Sequence, residues 1–144
     1  MKKHLIKLEK SKLAMTQLRR AIQLFNQGDY ISSLTLAGAA NEILGELAKN
    51  RHGYNTLDND KWFWDGIADM FNKGRPSKDK IKQVNNRVIN SLKHHDSDLD
   101  TIVEADFEFE SQCHIDSAIR NYWIAFDQPP MDRIVNKYVN WHWL

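Results

Sequence analysis

Tyr30-Ile31-Ser32-Ser33-Leu34-Thr35-Leu36-Ala37-Gly38-Ala39-Ala40-Asn41-Glu42-Ile43-Leu44-Gly45-Glu46-Leu47 is the stretch that decides the fold. Ile31, Leu34, Leu44 and Leu47 recur on one helical apolar face. Between them, Ala37 to Ala40 fill a whole turn with small residues. A glycine inside a helix costs about 1 kcal/mol against alanine, and a neighbouring helix that approaches closely offsets that cost. The stretch therefore predicts a helix over 30–50, pressed against another helix and capped by Asp29.

On its N-terminal side, Leu5, Leu8, Leu13, Ile22 and Phe25 predict a helix over 5–26, ended by Gln27-Gly28-Asp29. On its C-terminal side, 51–55 reads as a turn. A short aromatic helix over 58–72 follows, with Trp62, Phe63, Trp64, Ile67, Met70 and Phe71. Aromatic residues this dense serve as core or interface anchors. Lys73-Gly74-Arg75-Pro76-Ser77 breaks the chain, and Ser77 can cap a helix over 78–95. An acidic connector at 96–100 leads to a long helix over 103–126, and a last short helix over 131–141. No stretch alternates apolar and polar residues between hairpin turns, so no sheet is expected. The expectation is a single all-α domain over 1–144, an antiparallel helical bundle of five to six helices.

Composition narrows the function classes. Hydrophobic residues are 42% and charged residues 27% of 144, which is globular and not disordered. The net charge of +1 excludes polyanion binding by bulk charge, so any nucleic-acid site must be a local patch. Cys113, the only cysteine, has no partner for an internal disulfide and fits a reducing compartment. It is expected to be a small buried residue of its helix. The basic start Met1-Lys2-Lys3-His4 is followed by Lys7, Glu9, Lys10 and Lys12, which does not read as a signal peptide. No apolar run approaches the roughly 20 residues of a membrane span. A cytoplasmic protein with no membrane partner is expected.

Charge is divided along the chain. Between 73 and 95 there are seven bases and one acid; between 96 and 110 there are seven acids and no base. The two blocks can pair as weak surface contacts, or the basic one can form a ridge for phosphates.

Within the basic block, Ile81, Val84, Val88 and Leu92 line one side of the helix and should face the core. Arg87, Asn90 and His94 fall together on another side, with Gln83 one turn back. Such a stripe has the ingredients for metal-free RNA cleavage. The ribose 2′-hydroxyl loses a proton and attacks the adjacent phosphorus, leaving a 2′,3′-cyclic phosphate and a 5′-hydroxyl. Histidine can take or give that proton near neutral pH, arginine can hold the phosphate by paired charged bonds, and an amide can orient either. A two-fold dimer joining two stripes would make a fuller site. Polar residues on a helix face are also commonly just solvated.

Three stretches resemble the HEPN superfamily of α-helical domains: Leu34 to Leu44, with its small residues followed by an acid; Asn90-Ser91-Leu92-Lys93-His94; and Ala118-Ile119-Arg120-Asn121-Tyr122. The resemblance implies a four-helix core with extra short helices. It further implies a motif of arginine, a polar residue, four to six residues, then histidine. Arg87 to His94 fits, with six residues between, although Val88 stands in the polar place. Matching Asn90 to the polar place instead puts the arginine position at Ile89. The likeness thus implies Arg87, His94 and Asn90 as catalytic candidates, with His95, Asn86, Lys93 and Glu42 as supporting or alternative ones. It implies RNA as substrate, a homodimer, and either a toxin or defence ribonuclease partnered by an antitoxin or a non-catalytic scaffold for a protein or nucleotide. No cofactor is implied.

A metal-binding bundle is the third reading. Glu42 and Glu46, and Glu110 and His114, lie four apart on their helices, but the repeated Glu-x-x-His spacing of di-iron bundles is missing and no metal site is assigned. Glu42 could instead bond His94 or Arg87, or Glu42 and Glu46 could pair with bases. There is no phosphate-cradling glycine loop and no H-E-x-x-H. Trp141-His142-Trp143 is expected to dock on the bundle or on a second subunit.

Overall fold

Asp29 Oδ1 accepts the Ser32 amide at 3.2 Å and opens the longest helix of the computed structural model, which describes residues 4–95, 98 and 100–144. Six α-helices and no strand occur among the described residues: α1 Lys10–Asn26, α2 Tyr30–His52, α3 Thr56–Met70, α4 Lys78–Ser91, α5 Phe107–Phe126 and α6 Arg133–His142. The all-α bundle read from the sequence is the fold. Met1-Lys2-Lys3, and Asp96, Ser97 and Leu99 of the acidic connector, lie outside the described residues.

Local chemistry sets the boundaries. Gly53, at φ 80°, closes α2 with its amide on the Lys49 carbonyl. Asn55 and Asp58 form a reciprocal capping box at the start of α3. Ser77, Asp106 and Asp132 cap α4, α5 and α6 through their side-chain oxygens.

α2 packs most extensively against α5 and α1. Ala37, Ala40 and Leu44 of α2 meet Leu18 and Ile22 of α1 and Ile115 of α5, all fully buried. Alanines on α2 let the helices come close, as the small-residue turn predicts. Buried polar groups are satisfied across these seams. Ser111 Oγ of α5 donates to Ser33 Oγ of α2, which donates to the Ala21 carbonyl of α1, both at 2.7 Å. Asn121 of α5 accepts the Thr56 amide at 2.9 Å and donates to Asn41 Oδ1 at 2.8 Å, so it joins α5 to α3 and α2.

The structure corrects several sequence expectations. Residues 4–9 are not helical, and Leu5, Ile6 and Leu8 are exposed, because none of them meets the bundle. α5 begins at Phe107, where Asp106 caps it, and not at 103. Ile31 is exposed, while Leu34 and Leu44 carry the α2 face. Cys113 is exposed on α5; partial burial and then the nearby Glu110 and Asp116 charges push its thiol up. The terminal cluster docks in part: Trp143 Nε1 donates to Asp116 Oδ1 at 3.0 Å and His142 stacks on Tyr138, but Trp141 is exposed. The dense aromatics of α3 are not core, for that helix buries only Thr56 and Ala68.

Candidate functional site: the outer face of α4

α4 begins where Ser77 Oγ accepts the Lys80 amide at 3.1 Å. Its inner side is apolar: Val88 and Ile89 pack with Leu34 in a second small core, flanked by Leu92, Val103, Ala105 and Phe107. α4 also approaches α2 closely, where a β-carbon built on Gly38 would stand 1.6 Å from Ile89 Cδ1. Two polar contacts tie α4 to α3: Lys78 Nζ to Asp58 Oδ1 at 2.6 Å and Asn85 Nδ2 to Asp60 Oδ2 at 3.0 Å. Burial raises the Asp60 carboxyl, against the Asn85 bond and the Arg120 charge. Asp58 also bonds Lys49 at 2.9 Å. Burial pulls its carboxyl up, and the bonds from Lys78 and Lys49 more than reverse this, so the net direction is down.

With that side fixed, Lys80, Gln83, Arg87 and Asn90 come to the outer face at about 100° per residue, and all four are exposed. Arg87 and Asn90 thus share one face, as the sequence predicts.

His94 does not lie on the same helix, and the predicted span 78–95 is too long. α4 ends at Ser91; the Lys93 and His94 amides both turn back to the Asn90 carbonyl, at 3.1 and 3.2 Å. The cause is loss of anchoring: after Leu92, residues Lys93, His94 and His95 are all exposed, with no apolar side chain to hold another turn against the bundle. Ser91 Oγ also donates to the Arg87 carbonyl one turn back, at 2.9 Å. Val84 is exposed and not core; Ile89 takes that place.

Of the supporting candidates, Asn86 is half-buried and Lys93 and His95 are exposed. Glu42 is exposed on α2 and, among the described residues, bonds neither His94 nor Arg87. Neither Glu42 nor Glu46 forms an ion pair with a base there. No three His, Cys, Asp or Glu side chains gather to hold a metal among the described residues. His114 is buried, and its Nδ1–H donates to the Glu110 carbonyl at 3.0 Å.

Electrostatics separate the basic residues into two groups. Arg75 forks onto Asp69 at 3.0 and 2.7 Å, and Lys78 is held by Asp58. Among the described residues, Lys80, Lys82, Arg87 and Lys93 form no ion pair, and Glu104, Asp106, Glu108 and Glu110 send none to α4. The basic block therefore answers α3 where it is paired and faces solvent where it is not. Sequence reading missed Lys80, although its seven-residue spacing from Arg87 was a signal. Which lysines would be neutralised had no sequence signal, because it depends on where α3 lies.

Comparison of the chain with protein-family models, curated proteins and solved structures gives no match.

Proposed function

We propose that this chain is an RNA-directed, HEPN-like helical domain that grips the phosphodiester backbone with the outer face of α4. The observation that supports it is the pair Lys80 and Arg87, about two turns apart and roughly 10 Å along the axis, exposed and, among the described residues, without carboxylate partners. Arg87 offers a planar fork to a phosphate. Gln83 and Asn90, on the same face, supply neutral donors and acceptors for phosphate and ribose hydroxyls. That the polyanion is RNA rests on the resemblance of Leu34 to Leu44 and Asn90 to His94 to the HEPN pattern.

Cleavage is the stronger form of the proposal, with His94 as the acid or base of a toxin or defence ribonuclease and an antitoxin as its partner. The end of α4 at Ser91 removes the shared helical face that favoured it, so backbone binding is the reading put forward. Incubating the full chain with single-stranded RNA in excess chelator, then mapping the ends, separates the two. Intact RNA that is retained by wild type and released by Arg87→Ala supports binding alone. Fragments with 2′,3′-cyclic phosphate ends that vanish in His94→Ala establish the ribonuclease. RNA that neither associates nor is cut overturns the proposal.

A further inference from the structure

We infer that the solvent face of α6 docks an acidic segment of a partner protein, with Arg133 and Lys137 taking two of its carboxylates and Trp141 an apolar side chain beside them. The surface is separate from α4, and the inference holds whatever α4 binds.

The other side of α6 fixes it to the bundle. Val135 is fully buried, and the Tyr138 hydroxyl donates to Asp116 Oδ1 at 2.9 Å. At about 100° per residue, Arg133, Asn136, Lys137, Asn140 and Trp141 then face solvent, and each of them is exposed. Together with Met131 they line a shallow groove on a helix that is already held in place.

The groove carries unanswered positive charge. Asp132 is the only carboxylate among its lining residues, and both of its oxygens are engaged. Oδ2 accepts Arg19 Nε at 2.8 Å, and Oδ1 accepts the Ile134 and Val135 amides at 2.9 and 3.1 Å. Arg133 and Lys137 form no ion pair among the described residues. Arg133 also opens α6, whose first turn holds no acid, at the helix end where a positive charge is disfavoured. A carboxylate from outside the chain would offset that.

Trp141 supplies the second observation. Its neighbours dock, His142 on Tyr138 and Trp143 on Asp116. Trp141 is 82% exposed, and among the described residues its indole meets no other ring and makes no hydrogen bond. Met131, at the other end of the groove, is 80% exposed. Tryptophan, methionine and arginine are the residue types that concentrate in protein interfaces.

Spacing gives the kind of segment. Arg133, Lys137 and Trp141 follow one another about 6 Å apart along the helix axis. Alternate residues of an extended peptide point to one face about 6.6 Å apart. An extended segment with two acids and an apolar residue at alternate positions therefore matches the row. Asn136 and Asn140, on the adjoining row, can bond its backbone N–H and C=O groups. A single-stranded RNA could stack a base on Trp141, but it has no aliphatic group to set against Met131.

The test titrates the full chain into a fluorescent peptide, Gly-Ser-Glu-Ser-Glu-Ser-Leu-Ser-Gly, at low salt and reads anisotropy. Wild type should saturate with a dissociation constant on the order of 100 µM. Arg133→Glu and Lys137→Glu should each weaken binding by about tenfold or more, and Trp141→Ser by about threefold or more. Arg87→Ala should bind as wild type does. The doubly reversed variant, Arg133→Glu with Lys137→Glu, should lose this peptide and bind one with lysine in both glutamate places, a gain that misfolding cannot produce. A wild type that shows no saturation up to about 1 mM overturns the inference. So does a dissociation constant unchanged in Arg133→Glu and Lys137→Glu, or a doubly reversed variant that binds neither peptide. A short single-stranded RNA held more tightly than the peptide, and lost in Arg133→Glu and Trp141→Ser, would assign the groove to nucleic acid instead.

Discussion

The δ-methyl of Ile89 fills the volume that a β-carbon on Gly38 would need, with Cδ1 1.6 Å and Cγ1 3.1 Å from that point. This contact holds α4 against α2, and with it the outward aim of Arg87 and Asn90. Ile89, which one register of the arginine–histidine pattern puts at the arginine place, is 4% exposed and committed to Gly38, whereas Arg87 is exposed on the outer face.

Gly38→Ala should destabilise the protein by about 1–3 kcal/mol, overpacking outweighing the ~1 kcal/mol that alanine gains in helix propensity. Ile89→Val removes the clashing δ-methyl and should itself cost about 0.5–1.5 kcal/mol. The double variant should be more stable than the sum of the two. Urea denaturation of the four proteins measures this coupling; strict additivity would mean the two residues do not touch.

Asn121→Leu should cost about 2–4 kcal/mol, because it leaves the Thr56 amide and Asn41 without partners in a buried seam. The loss should appear first at the N-terminus of α3, where Thr56 begins the helix. Amide hydrogen exchange checks the order: protection at Thr56 and Leu57 should fall before that of Leu44 or Ile119.

His114 should make stability depend on pH. Burial holds its imidazole below the ordinary 6.5, the Lys93 charge acts in the same direction, and the Glu110 carbonyl and carboxylate oppose them. The unfolded ring therefore takes up a proton before the folded one. Stability from this source is full above about pH 6.5 and falls as pH drops from there toward the lower folded value. The urea midpoint should decline over that window, and His114→Gln should flatten the decline. An equal slope in both proteins would assign the titration to another group.

Much of the fold was legible because punctuation and small residues are local signals. Asp29 and Ser77 each stand at a helix start, and the Ala37–Ala40 turn announced a close helix contact; Asp132, which caps α6, was read as lying inside the last helix. The site was only partly legible. Arg87 and Asn90 share a face because three positions of separation fix an angle on any helix. His94 was misplaced because the helical face was carried past Leu92, where Lys93, His94 and His95 offer no apolar side chain to anchor another turn. Val84 was assigned to the core by its periodicity, but α4 meets the bundle along Ile81, Val88 and Ile89 and leaves Val84 outside. The pairing of Arg75 and Lys78, and the openness of Lys80 and Arg87 to solvent, are tertiary facts set by the packing of α3.

If the exposed cations on the outer face of α4 hold an RNA backbone, binding must release counterions. The slope of log binding constant against log salt concentration reads that release, with a single-stranded RNA and wild type beside Arg87→Ala and Lys80→Ala. Wild type should give a negative slope. Each variant should be shallower by about 0.7 for every phosphate it no longer neutralises, with weaker binding that is uniform across RNA sequences. Variants that bind as tightly as wild type with the same slope, or a wild type with no affinity at low salt, would contradict RNA binding by this face.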